Sequence, residues 1–364
     1  MGKAVEFLVI GQGISGSFLQ FELERAGLKH LVIDEALPNT ASRIAAGLIN
    51  PVTGRRLVTT WMIDELLDFA RQAYGRLEEV LRPGFFSPVT MMDFFPTAQM
   101  RLAFLNRIGE GGPYLRLPDD ERDQLDRFQY ELGYGMIGPC YLVDLPGLLD
   151  ACRQRMRAGE ILREERFEVE ELVVKGDGVL YRDIEARRIV FCDGARGFES
   201  PYFSRLPFAP NKGEALIVEV PGLRDAPAAA SVAGIDRVYK KGISLVPWRD
   251  DLYWAGSSYE WSFDHAEPTE LFRQRTEAAL RGWLRQPFRT LEHLAAVRPA
   301  TLERRPFVGF HPAFPAVGIL NGMGTKGCSL APYFAHELVQ HFLTGSPLRA
   351  DADVKRFTKT LLRR

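Results

Sequence analysis

Val5-Glu6-Phe7-Leu8-Val9-Ile10-Gly11-Gln12-Gly13-Ile14-Ser15-Gly16 opens on an apolar run and closes on glycines spaced G-x-G-x-x-G. The run predicts a buried strand, the glycines a turn, Ser17 to Ala26 a helix, and His30 to Ile33 a second strand ending at Asp34. That order is a βαβ unit with a dinucleotide-binding fingerprint. Gly11 permits the sharp turn, Gly13 lets backbone approach a pyrophosphate, and Gly16 lets the helix close on the strand, which leaves the helix N-terminus aimed at the phosphates with Ile14 and Ser15 in the turn before it. Asp34 stands eighteen positions after Gly16, where a carboxylate accepts hydrogen bonds from a ribose. Glu35 stands where a 2′-phosphate binder needs a basic residue, so an adenine dinucleotide other than NADP is expected.

The 364 residues suffice for a large core and two domains. A formal net charge of −1, with acids and bases balanced along the chain, gives no electrostatic reason to expect nucleic acid. No apolar run approaches membrane-spanning length, and only four residues precede the first strand, so a cytoplasmic protein without a signal peptide is expected. Met1-Gly2 resembles the start of a myristoylation signal, but Glu6 stands where Ser or Thr is needed. Cys140, Cys152, Cys192 and Cys328 form no C-x-x-C pair and the six histidines no H-x-H or H-x-x-x-H pair, so free thiols and no metal are expected. No motif fixes an oligomeric state.

Beyond the fingerprint, Pro38 to Arg56 is turn-rich and carries the small-residue loop Ser42 to Gly47. Trp61 to Leu81 has apolar residues at helical spacing, Phe85 to Phe95 reads as strand, and Gln99 to Ile108 as helix. Gly138 to Val143 reads as strand and Leu145 to Ala158 as a helix with Pro146 in its first turn. Strands are expected at Ile161 to Phe167, Glu170 to Val174 and Arg188 to Cys192, the last entering the glycine turn Asp193-Gly194. Ala215 to Val220, Val232 to Tyr239, Ile243 to Pro247 and Leu252 to Ala255 predict a separate antiparallel sheet, followed by a helix over Pro268 to Leu284. The glycine loop Gly322-Met323-Gly324-Thr325-Lys326-Gly327 precedes a helix expected over Leu330 to Leu343, with Ser329 as N-cap. The fold class is therefore α/β: a Rossmann-type dinucleotide domain (1–82, 140–205, 295–364) with an interposed antiparallel-sheet α+β domain (83–139, 206–294).

An N-terminal dinucleotide unit, an interposed antiparallel domain and a closing R-P…P-x-x-G…G-x-G-x-x-G segment before a helix resemble the D-amino-acid oxidase superfamily of FAD enzymes. The resemblance is nearest to the glycine oxidase and sarcosine oxidase branch and implies a glutathione reductase-like FAD domain. It implies that Gly11, Gly13, Gly16 and Asp34, with Ile14, Ser15 and Glu35, hold the ADP half of FAD. Ser42-Arg43 and Ala45-Ala46-Gly47 match the loop along the pyrophosphate and flavin, Phe167 a position whose backbone contacts adenine, and Gly194 the second glycine turn. Gly322, Gly324, Thr325, Lys326 and Gly327 complete the implied cofactor set. Arg298 matches the arginine that binds a substrate carboxylate in glycine and D-amino-acid oxidases, and Lys326 a lysine with that task in sarcosine oxidase-like members. Having both is unusual for either subgroup. Arg298 also stands where covalently flavinylated relatives carry cysteine, which implies noncovalent FAD. Asp193 departs from the small residue usual before the glycine.

Chemistry alone leaves alternatives beside these roles. Arg298, before a proline, can fix a guanidinium over a cavity for bidentate carboxylate binding, or pair at the surface with Glu303. Lys326 can bind a carboxylate, stabilise anionic flavin or superoxide, or point at water; Arg43 can touch flavin or form a structural ion pair. Tyr239, Trp248, Trp254, Tyr259 and Trp261 can wall a pocket or fill a core, with Tyr259 the best pocket candidate. The basic C-terminus, Lys355 to Arg364, reads as a solvated helix end. These observations predict an FAD-dependent oxidoreductase that takes hydride from the Cα–H of an amino acid or secondary amine carboxylate, with oxygen or an electron carrier as acceptor. Two alternatives are a 2-hydroxy acid dehydrogenase, which needs a base such as His265 or His311, and a redox-silent nucleotide-binding module.

Overall fold

A computed structural model describes residues 3–54, 56–224 and 236–363. Met1, Gly2 and Arg364, and residues 232–235 at the start of one expected strand, lie outside the described residues. The first stretch follows the fingerprint: β1 (Lys3–Ile10), α1 (Ile14–Arg25), β2 (His30–Ile33), the single turn α2 (Ala41–Ile44) and the short strands β3 (Leu48–Ile49), β4 (Val52–Thr53) and β5 (Val58–Thr59). Next come α3 (Ile63–Val80), β6 (Phe86–Phe94), α4 (Ala98–Gly109), β7 (Leu115–Arg116), β8 (Tyr134–Val143) and α5 (Leu145–Ala158). The chain continues through β9 (Leu162–Arg163), β10 (Leu172–Lys175), β11 (Gly178–Tyr181), β12 (Ile184–Phe191), β13 (Asn211–Glu219), β14 (Asp236–Lys241), β15 (Ile243–Arg249) and β16 (Leu252–Gly256). It closes with α6 (Glu270–Arg281), β17 (Arg289–Arg298), β18 (Phe307–Phe310), β19 (Val317–Asn321) and α7 (Gly327–Thr344).

Eight strands form the first sheet, whose centre is parallel: β9 on β2, β2 on β1, β1 on β12 and β12 on β19. Strand β12 serves two neighbours in turn. Ile184 to Ala186 pair with β11 and Ile189 to Phe191 with β19. The parallel strands are apolar along their length because both faces are covered, β2 being wholly buried and β1 buried over its last four residues. α1 shows no polar face for the same reason: Ile14 to Leu23 are all buried, and the helix packs on α7.

The second sheet runs β17-β13-β16-β15-β14-β6-β8-β3 and is antiparallel except where β14 lies parallel to β6. The expected all-antiparallel sheet is therefore mixed: β6 and β14 come from stretches about 140 residues apart, so no hairpin dictates their relative direction. Strand alternation divides β13 cleanly. Ala215 and Ile217 join the large core that holds α1, α3 and α7, while Leu216 and Val218 join a separate core under Leu280 of α6 and Trp283. One face of the second sheet is thus turned towards the dinucleotide unit.

Three expectations change. The strand expected over Ile161 to Phe167 shrinks to Leu162–Arg163, and the turn after β12 winds into a 3-10 helix over Gly194–Glu199. α7 begins at Gly327 rather than after Ser329, with Lys326 as N-cap; Ser329 Oγ donates to the Lys326 carbonyl at 3.2 Å instead of capping.

Glycines with positive φ separate space from strain. Gly47 (φ +76°) faces Val143 so closely that a Cβ would lie 2.0 Å from its carbonyl oxygen, whereas Gly54 (φ +74°) has open space. Gly54→Ala should therefore cost only the left-handed backbone, about 1 kcal/mol, and Gly47→Ala about 3 kcal/mol or more. Urea melts of the two variants measure the difference.

Candidate active site

The fingerprint glycines are fixed by contact. A Cβ on Gly16 would lie 1.8 Å from the Gly11 carbonyl oxygen and one on Gly11 2.6 Å from that of Cys192, so any side chain would push α1 off the sheet. The N-terminus of α1 has no side-chain cap and no acid in its first turn. Ile14 N–H donates to Ser42 Oγ at 3.1 Å, which draws the Ser42 to Gly47 loop over the helix end. α7 starts the same way, without side-chain cap or acid. The two starts abut, since a Cβ on Gly327 would meet Ile14 at 3.0 Å. Two adjacent helix N-termini with no acid in either first turn suit an extended anion.

Around this centre the other predicted residues take several roles. Asp34 accepts from Gln12 N–H and Ala36 N–H at 2.8 and 2.9 Å and from Arg153 Nη1 at 2.8 Å, so the ribose candidate is already held in place. Arg153 is buried and also grips Gln12 Oε1 and Glu164. Sequence reasoning missed it, although an arginine on a helix face otherwise made of Leu148, Leu149, Cys152 and Met156 was a usable signal. Glu35 pairs with Arg196, and Arg43 pairs with Asp150 at 2.8 Å, the structural ion pair of its two alternatives. Phe167 lies tilted against Tyr181 and edge-on to Phe191. Ala46 is half-buried beside Gly47.

The C-terminal loop is built on the other side. Gly322 and Gly324 have φ of +80° and +56°, and Gly324 N–H donates to the Pro299 carbonyl at 3.0 Å, so this loop lies on the Arg298-Pro299 turn. Thr325 is exposed, and Lys326 has no hydrogen bond or ion pair from its ammonium among the described residues. Burial pulls Lys326 down to about 8. Asn321, buried where β19 meets this loop, donates Nδ2–H to Asp193 Oδ1 at 3.0 Å and to the Gly194 carbonyl at 2.9 Å. Asp193 thus ties the second glycine turn to the Lys326 loop, and its burial pushes the carboxyl up to about 7.

Arg298 ends β17 opposite Asn211 of β13. Its Nη1 donates to Asn211 Oδ1 at 2.6 Å and to the Ser258 carbonyl at 3.2 Å, its guanidinium lies 5.0 Å from the Tyr259 ring centre, and a Cβ on Gly213 would fall 1.9 Å from Nη2. Burial lowers its pKa. Glu303, the alternative partner, pairs with Arg356 instead. Of the five aromatics, Tyr239 turns to the far core, Trp254 is buried and donates Nε1–H to the Ile44 carbonyl, and Trp248 is half-buried. Tyr259 and Trp261, 52% and 54% exposed, stand edge-to-face at the Arg298 end. His311 lies beyond Val317, at the opposite end of β19 from the Lys326 loop, with Nδ1 accepting from Ala313 and Phe314 N–H; His265 is exposed. Neither joins Arg298 or Lys326.

Residues 6–341 match the family model described as FAD dependent oxidoreductase, DAO. The chain belongs to the DAO family of FAD-dependent oxidoreductases. It is an enzyme of that family with the α/β fold its sequence predicted, and no described helix is long and apolar enough to cross a membrane. Among solved structures it is similar to iminodiacetate oxidase from Chelativorans sp. BNC1 (21% identity, TM-score 0.73, covering 95% of this chain and 98% of that one). It also resembles glycine oxidase from Bacillus cereus ATCC 14579 (17%, TM-score 0.75, 99% of each chain) and L-proline dehydrogenase from P. horikoshii (15%, TM-score 0.73, 100% of each). At these identities the likeness is one of fold.

The two shifted groups have opposite linkage. Lys326 titrates lower folded than unfolded, so the cofactor-free chain should gain stability as pH rises from about 8 to about 10.5, and Lys326→Met should be about 2 kcal/mol more stable than wild type at pH 7. Asp193 titrates higher folded than unfolded, so stability should fall as pH rises from about 4 to about 7, and Asp193→Asn should flatten that slope. Denaturant melts across pH 4 to 10 read both.

Proposed function

We propose that the chain oxidises the Cα–H of an amino acid or secondary amine carboxylate. The observation that carries this reading is the pair of cations, Arg298 and Lys326, on two loops hydrogen-bonded to each other and with no carboxylate partner for either among the described residues. Two half-buried positive charges without counter-ions among the described residues favour an anionic ligand. The similar proteins are an iminodiacetate oxidase, a glycine oxidase and an L-proline dehydrogenase, named for carboxylate-bearing amines, which agrees with this class.

The residues present fit FAD. The uncapped start of α1, with Gly11, Gly13, Ile14, Ser15 and Gly16, suits the pyrophosphate; Asp34, Glu35, Phe167 and Gly194 suit the adenosine half. Ser42, Ala46, Gly47, Gly322, Gly324, Thr325, Lys326 and Gly327, with Arg298, would flank the flavin ring, with Arg43 tied beside them to Asp150, and FAD would be held noncovalently because Arg298 stands where covalently flavinylated relatives carry cysteine. Bound flavin supplies the two-electron acceptor at N5.

The chain's own part is binding and orientation. Arg298 takes the carboxylate through the guanidinium edge turned away from Asn211, and Lys326 adds a second positive contact. Tyr259 closes over the guanidinium. With the carboxylate fixed, the Cα–H has one approach to the ring, and positioning with electrostatics supplies most of the acceleration. A neutral amine needs no base on the protein, consistent with His265 and His311 standing apart. Oxygen or an electron carrier then reoxidises the enzyme. We further propose the discontinuous division 1–82, 140–205 and 295–364 against 83–139 and 206–294, with β8 and β17 crossing between the two parts.

Purified protein should show a flavin spectrum that bleaches anaerobically with pooled amino acids or N-methyl amino acids. Bleaching by 2-hydroxy acids alone would overturn the amine reading. Arg298→Ala should keep FAD and raise KM for the carboxylate substrate about a hundredfold, measured by steady-state kinetics.

A further inference from the structure

Arg298 is enclosed by neutral groups. Its hydrogen bonds go to the Asn211 amide oxygen and the Ser258 carbonyl, its plane lies against Gly213, and the Tyr259 ring covers it. Asn211 is fully buried. Both the guanidinium and the amide NH2 are donors, so the amide oxygen must face Arg298, and the NH2 must point away. That Nδ2 is buried and has no acceptor among the described residues. A buried donor without an acceptor is unfavourable. An aspartate of the same shape would give Arg298 an ion-pair partner and put its second oxygen in the buried place of the NH2, so the amide is the choice that leaves the guanidinium charge open.

Acids do lie close by in sequence, and the fold turns them away. Lys212 and Glu214 alternate with Asn211 and Gly213 along β13 and so occupy the opposite face. There Glu214 meets Lys212 at 3.3 Å and accepts from Thr269 N–H and Oγ1.

We propose that Asn211 is a positioning residue whose neutral amide fixes the Arg298 guanidinium while leaving its charge uncompensated for a substrate carboxylate. This rests on the reading of Arg298 as the carboxylate clamp. An aspartate would hold the guanidinium equally well and occupy its charge; an apolar residue would preserve the charge and lose the orientation.

The test uses FAD-loaded protein titrated with acetate and benzoate, with acetamide and benzamide as uncharged controls, followed by perturbation of the visible flavin absorption and by thermal melting. Asn211→Asp is expected to weaken both carboxylates at least about tenfold and leave the amides unchanged, with melting confirming that it folds. A loss confined to the charged ligands is a result that a merely structural role would not give. Should the aspartate variant not fold, Asn211→Ala and Asn211→Ser decide: alanine should lose carboxylate affinity about fivefold or more, and serine, a neutral acceptor, should recover part of it. Asn211→Asp or Asn211→Ala binding carboxylates within about twofold of wild type, while Arg298→Ala has lost them, would overturn the role of Asn211 alone. Carboxylate affinity surviving in Arg298→Ala would overturn the clamp and this inference with it.

Discussion

The starts of α1 and α7 meet without a side-chain cap or an acid between them, and much of the structure follows from that junction. A helix N-terminus carries about half a positive charge, and two together repel unless something negative is shared. In α1 the burial of every residue from Ile14 to Leu23 removes any water-facing side that would let the helix shift, and Gly16 locks it to the Gly11 carbonyl. Packing, with the Ile14 N–H bond to Ser42 Oγ, therefore holds two positive helix ends side by side. A diphosphate and an electron-rich ring are the kinds of group that relieve the repulsion.

The second sheet supplies what the junction lacks. Its inward face shares a core with α1, α3 and α7, and its edge strand β17 and the neighbouring β13 carry Arg298 and Asn211 to the point where the C-terminal glycine loop turns. Its outward face holds the Lys212–Glu214 pair, with Glu214 also meeting Thr269 and His293. Pleating thus sorts charge: positive and uncompensated inside, paired outside. The same logic places Lys326, whose ammonium is disfavoured by burial and becomes tolerable only beside an anion.

The sequence was most legible where local pattern and tertiary role coincide. The fingerprint, the amphipathic α3 and the proline-opened α5 each follow from spacing that packing then uses directly. Legibility failed where distant chain segments decide. The parallel pairing of β14 with β6, the sharing of β12 between β11 and β19, and the true start of α7 depend on partners far along the chain. At the site, Arg298 and Lys326 were found through motif and resemblance, whereas Asn211 belongs to no motif and its place is set by the pairing of β13 with β17. Arg153 was hidden in a helical pattern that fits well enough without it.

The partition of β12 bears on how the protein is made. Its first residues pair with β11, close behind in the chain, while its last await β19, and α1 awaits α7 about 300 residues downstream. During translation the fingerprint leaves the ribosome early and must remain an incomplete layer, apolar on a face with nothing to cover it, until nearly the whole chain has emerged. Such long-range closure slows folding and exposes strand edges meanwhile. Truncation just before Gly327 should therefore leave a nascent chain held by chaperones rather than a smaller working enzyme.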